Sequence, residues 1–192
     1  IGKTGNGNQG WKIYLDTYTS SKYKFRFSQR WNNEDLIQEN HVVYPKKWNH
    51  IVITYDASDK DNRATMYLNG SSETFNVVSS SYDASDSTSI TSDASDNLEI
   101  GRKNTGGTYQ NMIMDEISIF STELTAGQVT TMYNSGQPFN ATKSAAASNL
   151  IGYWRNNALT SAGTWEDLST NDNHGTANNL SDTIFFQEGV TA

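Results

Sequence analysis

WNHIVITYD, residues 48–56, is the stretch that most strongly indicates how this chain folds. It is rich in β-branched and aromatic residues, and its middle is apolar at successive positions, as in a strand covered on both faces. Residues 64–68 follow as a second strand that ends at Asn69-Gly70, a dipeptide that favours a type I′ hairpin turn. A third strand is predicted over residues 73–78. The pattern therefore predicts antiparallel strands, with residues 48–56 at the centre of a two-layer fold.

Further strand patterns lie on both sides of this hairpin. Residues 11–15 and 23–27 alternate with period two, so we expect their apolar side chains on a buried face and the basic ones on a solvated face. The apolar set is Trp11, Ile13, Leu15, Tyr23, Phe25 and Phe27, and the basic set is Lys12, Lys24 and Arg26. Residues 98–101 and 112–120 also have strand patterning. The strand tryptophans Trp11, Trp48 and Trp154 are expected in the core.

One short helix is predicted near residues 125–135. Thr125 and Gln128 form a capping-box pattern, Val129 and Met132 are spaced as on one helix face, and Gly136 stands where a helix ends. Residues 139–149 are small and polar and are interpreted as a linker. Residues 150–154 and 183–186 are predicted strands. We therefore divide the chain into a β-sandwich domain at 1–138, a linker at 139–149 and a C-terminal β extension at 150–192.

Composition excludes several classes of function. The net charge is −7, and the longest basic run is Lys46-Lys47, so the chain lacks the positive surface that nucleic-acid binding requires. It has no run of eighteen apolar residues and no apolar opening segment, so we expect neither membrane insertion nor a signal peptide in this sequence. The absence of Cys excludes disulfides and thiol catalysis.

The order of these elements resembles the laminin G-like family of the concanavalin A-like lectin/glucanase superfamily. The resemblance covers residues 11–138 and is carried by residues 48–56, 67–70 (YLNG), 98–101 (LEIG), 114–120 (MDEISIF) and the capped helix ending at 133–136 (YNSG). It implies an all-β fold, a two-sheet antiparallel β-sandwich or jelly roll.

The segment that usually opens this family lies at the other end of the chain. Residues 150–154 and 165–175 (WEDLSTNDNHG) resemble that opening, so the order of elements looks circularly permuted. The C-terminal segment is predicted to complete its own sheet or to insert into a neighbouring copy, which would make a homo-oligomer through edge strands. A fragment of a tandem array is the third interpretation.

No catalytic constellation is apparent, and we predict that the chain is not an enzyme. Glucanases on this fold carry a Glu-x-Asp-x-x-Glu strand, which is absent here. The adjacent pair Asp115-Glu116 would face opposite sides of a strand, and by analogy with the family Asp115 accepts backbone hydrogen bonds near the helix. His41, His50 and His174 have no accompanying nucleophile pattern.

The Asp-rich loops are the candidates for Ca²⁺, which prefers several carboxylate and carbonyl oxygens. Asp83, Asp86, Asp93 and Asp96 form one candidate set in two copies of the sequence DASD. The alternative set is Asp167, Asn171 and Asp172. The competing interpretation of both is a solvated polar loop.

Trp31, followed by Asn32, Asn33 and Asp35, is the predicted ligand-binding site. A sugar ring stacks on an aromatic face while nearby amide and carboxylate groups bind its hydroxyls. The alternative is that Trp31 caps the edge of the sandwich.

The predicted function is non-catalytic surface recognition, with a glycan or surface polysaccharide as the partner. The resemblance extends to proteins on phage and marine bacterial surfaces, and it implies adhesion on a virion, fibre or cell surface and therefore an extracellular or particle-surface location. The alternative function is a structural, self-assembling subunit of a capsid, fibre or filament, joined through exchanged edge strands.

Overall fold

The computed structural model describes residues 1–3, 9–19, 22–31, 34–43, 46–56, 64–80, 92–102, 112–160 and 163–178. These residues group into two compact units. The first comprises Ile1–Leu68 and Ser72–Met112, and the second comprises Asn69–Ser71 and Ile113–Ala192. Strands dominate the described residues, which also contain one α-helix and four short 3-10 turns.

The first unit contains a six-stranded sheet in the order β8-β4-β3-β2-β1-β9. Every neighbouring pair is antiparallel. Its strands are β1 (Gly2–Lys3), β2 (Gln9–Thr19), β3 (Lys22–Trp31), β4 (Glu34–Val43), β8 (Asn76–Ser80) and β9 (Leu98–Glu99). The long central ladder β2-β3-β4 follows from the period-two alternation of residues 11–15 and 23–27.

A second sheet of three strands supplies the other layer of the first unit. Its strands are β5 (Ile51–Thr54), β6 (Thr65–Leu68) and β7 (Ser71–Glu73), in that order. The core cluster of Phe25, Val43 and Met66 takes side chains from both sheets, and Ile13, Leu15, Ile51, Ile53, Leu68 and Phe75 pack against it. The predicted two-sheet antiparallel sandwich is confirmed.

The prediction that Trp48 is a core residue is wrong. Strand β5 begins only at Ile51, which pairs with Leu68, the last residue of β6 before the Asn69-Gly70 turn. Residues 48–50 therefore lie before the first pair of this ladder. Trp48 is consequently 70% exposed, whereas Trp154 is buried as predicted.

The strand predicted at residues 73–78 is two strands in different sheets. The chain leaves β7 at Glu73 and enters β8 at Asn76. At this corner the carbonyl of Thr74 accepts a hydrogen bond from Asn40 Nδ2 at 2.8 Å. The Asn40 side chain thus supplies a hydrogen-bond donor to a backbone carbonyl that lies between the two strands. The side chain of Phe75 contributes to the core.

The second unit is built around the antiparallel pair β10 (Ile117–Phe120) and β11 (Leu150–Trp154). A small hairpin, β12 (Thr164–Trp165) and β13 (Gly175–Thr176), follows. Residues 112–116, predicted as strand, precede β10, and Glu116 has a φ of 55°, which is incompatible with a strand. The predicted strand at 183–186 lies outside the described residues.

The predicted helix is confirmed as α1 (Ala126–Tyr133). Its capping box is formed, because Thr125 N donates to Gln128 Oε1 at 2.8 Å and Gln128 N donates to Thr125 Oγ1 at 3.3 Å. The segment interpreted as a linker contains two 3-10 turns, Ala141–Lys143 and Ala147–Asn149, and buries Ala141 and Ala146. The division into domain, linker and extension stays a prediction.

Candidate functional site

Trp48, at the turn that enters β5, has an aromatic side chain that is 70% exposed. Lys46 has a φ of 62°, a left-handed conformation that is uncommon for a residue with a side chain. Asn49 Nδ2 donates to the carbonyl of Lys47 at 2.9 Å and so braces the turn across Trp48. We call residues 46–48 the KKW tip. The tip combines a large exposed ring with two exposed ammonium groups.

His50 marks the point at which the chain enters the sandwich. Burial lowers the pKa of its imidazole, because a low-dielectric surrounding disfavours the charged form. The residue is therefore neutral at pH 7 and adds no charge beside the tip. The two lysines alone set the local charge of residues 46–50.

The predicted binding site at Trp31 lies at one end of the β3-β4 ladder, in the six-stranded sheet. At this end Trp31 pairs with Glu34, and Arg30 pairs with Asp35. At the opposite end Tyr23 pairs with Val43, and from Val43 the chain continues to the KKW tip. Asn32 and Asn33 lie outside the described residues. The ligand contact predicted for this loop stays a prediction, and the two aromatic candidates are separate sites.

The first candidate calcium set is only half described. Asp83 and Asp86 lie outside the described residues, and the Oδ1 of Asp93 lies 3.4 Å from the ammonium of Lys3. Asp96 donates its backbone N–H to the carbonyl of Asp93 at 2.9 Å, which makes this DASD copy a turn. In the described ranges no three His, Cys, Asp or Glu side chains are close enough to hold a metal ion. Calcium binding stays a prediction.

Asp167 organises the loop of the second unit that resembles the family opening. Its Oδ1 accepts the N–H groups of Tyr153 at 2.8 Å and Ser169 at 2.9 Å. Its Oδ2 accepts the hydroxyl of Ser169 at 2.7 Å and the N–H of Asn173 at 2.9 Å. The Asp of the Trp-x-Asp-x-Ser pattern is thus a buried carboxylate, and its hydrogen bonds join β11 to the loop after β12.

These hydrogen bonds involve two members of the alternative calcium set, Asp167 and Asn171. Both oxygens of Asp167 are occupied by N–H and O–H donors, and Asn171 uses its amide nitrogen to bind the carbonyl of Leu150 at 2.7 Å. A calcium ligand needs a lone pair directed at the ion. Asp167 and Asn171 hold the loop through these bonds, and calcium binding by the set of Asp167, Asn171 and Asp172 stays a prediction.

This carboxylate makes a pH-dependent contribution to the stability of the second unit. Burial alone would raise the pKa of Asp167, but hydrogen bonds from Ser169, Tyr153 and Asn173 outweigh it and lower the pKa below its usual value. A lowered folded-state pKa gives stability that is complete above the unfolded pKa, about 3.9, and is lost as the pH falls through the folded pKa.

We therefore expect the second unit of the wild type to have a higher free energy of unfolding than that of the Asp167→Asn variant. This difference should shrink as the pH falls below about 4. Urea titrations of both proteins over a pH series measure this difference. A difference that stays constant down to the lowest pH would contradict the assignment of the shift to Asp167.

The carboxylate pair Asp115-Glu116 contacts a single segment, residues 153–156. Asp115 Oδ1 accepts the N–H of Glu116 and that of Asn156, each at 2.9 Å, which confirms its role as a backbone acceptor. Glu116 accepts the hydroxyl of Tyr153 and lies 2.8 Å from Arg155 Nε. Strand alternation does not separate the pair, because both residues precede β10. Instead, each carboxylate is committed to a structural partner.

The Tyr153 phenol is held protonated by these surroundings. Burial raises its pKa, and the hydrogen bond to Glu116 raises it further. The residue is therefore a hydrogen-bond donor to a carboxylate that Arg155 already neutralises. This cluster was not anticipated from the sequence, because its members are distant along the chain.

The second face of the six-stranded sheet carries an ion-pair network. Arg26 lies 2.7 Å from Asp16 Oδ2 and 2.8 Å from Glu39 Oε2, and Lys24 lies 3.5 Å from Glu39. The predicted position of Lys24 and Arg26 opposite the core is confirmed, but this face also buries Tyr14, Ser28 and Glu39. Arg26 thus bridges the two carboxylates and links β2, β3 and β4 on this face.

Comparison with known proteins shows to which family the chain belongs. The profile described as the concanavalin A-like lectin/glucanases superfamily matches residues 1–130, in its laminin G type. No curated protein and no solved structure matches the chain significantly. Among the described residues, no helix has the length and apolar character needed to cross a membrane. Because the family match covers more than half of the sequence, the chain belongs to the laminin G-like part of the concanavalin A-like lectin/glucanase superfamily.

Proposed function

We propose that this protein is a non-catalytic carbohydrate-binding module and that Trp48 is its main contact with the sugar. The observation that carries the proposal is the 70% exposure of Trp48 on a turn that is braced by its neighbours. The superfamily contains both lectins and glucanases, as its name states. The commitment of Asp115, Glu116, Asp16 and Glu39 to structural partners favours binding over catalysis.

Exposure of a whole indole has a cost that function can explain. Burial of a large aromatic side chain stabilises a fold by about 2 kcal/mol or more, and this chain forgoes most of that gain at Trp48. The left-handed conformation of Lys46 adds backbone strain of the kind that collects at ligand-binding turns. A rigid, solvent-facing ring is the surface on which the apolar face of a pyranose stacks.

The location of the protein follows from its proposed ligand. A module for polysaccharides works where polysaccharides are exposed, so we place the protein at a cell surface or on a virion or fibre, as an adhesion module. Trp31 with Asn32, Asn33 and Asp35 remains a second sugar contact in this proposal, at the opposite end of the β3-β4 ladder.

Binding to a panel of polysaccharides by affinity electrophoresis tests the role of Trp48. We expect Trp48→Ala to weaken binding about tenfold or more, because a central aromatic contact contributes at least about 1.4 kcal/mol. Trp48→Tyr should retain much of the affinity, since it keeps an aromatic face.

The matched control is Ile113→Ala, which removes an apolar side chain of nearly equal exposure, 69%, in the second unit. It should leave binding unchanged. Equal binding by the wild type and Trp48→Ala would exclude Trp48 as the sugar contact.

The second candidate, a self-assembling structural subunit, is favoured by strand β8. It is an outer strand of the six-stranded sheet, and its Val77 and Val78 are 43% and 46% exposed. An edge strand without charged residues is suited to pairing with another chain. Polymers that form without glycan and are indifferent to Trp48→Ala would favour this candidate.

A further inference from the structure

The lysines of the KKW tip differ in their charge partners from most other basic residues whose side chains the structure describes. In the described parts of the chain, neither Lys46 nor Lys47 forms an ion pair, whereas most other basic side chains are neutralised. The ion pairs are Lys3 with Asp93, Lys24 and Arg26 with Glu39, Arg102 with Glu99, and Arg155 with Glu116. Lys12 lies over the ring of Tyr14, 5.8 Å from its centroid. Lys143, in the second unit, is the nearest equivalent to the tip lysines.

The two exposed lysines contrast with the negative net charge of the protein. At −7 the protein as a whole repels anions, and exposed charges act on a ligand mainly within a Debye length of about 8 Å. Two consecutive exposed lysines, followed in the chain by an exposed indole, therefore form a local site that an anionic ligand can reach. A neutral sugar would gain only hydrogen bonds from them.

We propose that the KKW tip binds an anionic polysaccharide, one that bears carboxylate or sulfate groups. Trp48 stacks on a sugar ring, and Lys46 and Lys47 pair with acidic groups of the same or the next residue of the polymer. The inference rests on the proposed function and specifies its ligand class. Repetition of the charged sugar along the polymer supplies many equivalent ligands for a small site.

A membrane surface is the other anionic partner with which a Trp-Lys tip could interact. Each lysine near an anionic bilayer contributes about 1 kcal/mol, and stable anchoring requires several such contacts or a lipid chain. Two lysines and one indole on a chain of charge −7 fall short of this requirement. The polysaccharide is therefore the better match.

The test compares polygalacturonate with dextran, a neutral polymer, as ligands of the full chain at low and high NaCl. The wild type should bind polygalacturonate at least about tenfold more tightly than dextran at low salt and should lose most of this preference at about 0.5 M NaCl, where exposed charges are screened. The double variant Lys46→Ser/Lys47→Ser should lose about five- to tenfold in affinity for polygalacturonate, with dextran unaffected.

Two controls match the double variant. Lys143→Ser removes an exposed lysine of the second unit and should change nothing. Lys46→Arg/Lys47→Arg keeps both charges and should retain the preference for polygalacturonate. Near-ultraviolet circular dichroism verifies that each variant is folded.

The outcomes separate this inference from the proposed function. Equal binding of the two polymers, lost on Trp48→Ala but not on removal of the lysines, would overturn the anionic specificity and leave a neutral-sugar module. Binding that is indifferent to Trp48→Ala would overturn both. Tight binding to phosphatidylserine vesicles without binding to polygalacturonate would overturn the inference in favour of a membrane surface.

Discussion

Replacement of Asp167 by Asn is expected to lower the free energy of unfolding of the second unit by about 3 kcal/mol. The carboxylate is only 5% exposed and accepts four hydrogen bonds, from Tyr153, Ser169 and Asn173. An Asn side chain keeps one acceptor and turns an NH₂ group towards donors that then have no acceptor. Urea unfolding followed by tryptophan fluorescence measures the loss, since Trp154 and Trp165 lie in this unit.

The matched control is Glu166→Gln, which removes a carboxylate from the exposed neighbouring position. It should change the free energy of unfolding by less than about 0.5 kcal/mol. Amide hydrogen exchange at Tyr153 and Asn173 should accelerate in Asp167→Asn alone. An Asp167→Asn protein as stable as the wild type would show that the carboxylate does not hold the loop to β11.

Replacement of Gly152 by Ala is expected to destabilise the same unit by about 3 kcal/mol, at the upper end of the cost of overpacking. A Cβ at position 152 would lie 2.2 Å from Cη2 and 2.8 Å from Cζ2 of the Trp154 indole. The indole cannot easily move, because it is buried and its Nε1 donates to the carbonyl of Asn173 at 3.1 Å. The β10-β11 pair should therefore loosen.

The same substitution at Gly127 is the control. Gly127 lies in α1, and a Cβ added there would have no atom within 4 Å, so Gly127→Ala should stabilise the helix by about 0.5–1 kcal/mol. Opposite signs for the two Gly→Ala changes are expected in thermal and urea unfolding. Stabilisation by Gly152→Ala would contradict the position of the Trp154 indole.

Much of the fold could be predicted because alternation and turn chemistry act locally. The period-two runs at residues 11–15 and 23–27 predicted β2 and β3, and Thr125 with Gln128 predicted the start of α1. The ends of strands were less predictable, because they depend on partners distant in sequence. Ile51 begins β5 only because β6 ends at the Asn69-Gly70 turn, and this limit is what exposes Trp48.

In the candidate site, too, local patterns could be predicted from the sequence, whereas contacts between distant residues could not. Composition identified Lys46-Lys47 as the longest basic run, but an apolar strand pattern assigned the next residue, Trp48, to the core. The Asp167 loop resembled the family opening, yet the hydrogen bond that ties it to Tyr153 joins residues 14 positions apart. Such contacts arise from the packing of β11 against the loop and leave no local signal.

The indole N–H resonances of the five tryptophans provide the most direct test of the proposed binding site. We would titrate the isotopically labelled protein with polygalacturonate and assign each resonance with single Trp→Phe variants. The resonance of Trp48 should shift, while those of Trp154 and Trp165, whose N–H groups bind the carbonyls of Asn173 and Arg155, should stay in place. A shift of the Trp31 resonance with Trp48 unmoved would contradict the account and place the sugar at the opposite end of the β3-β4 ladder.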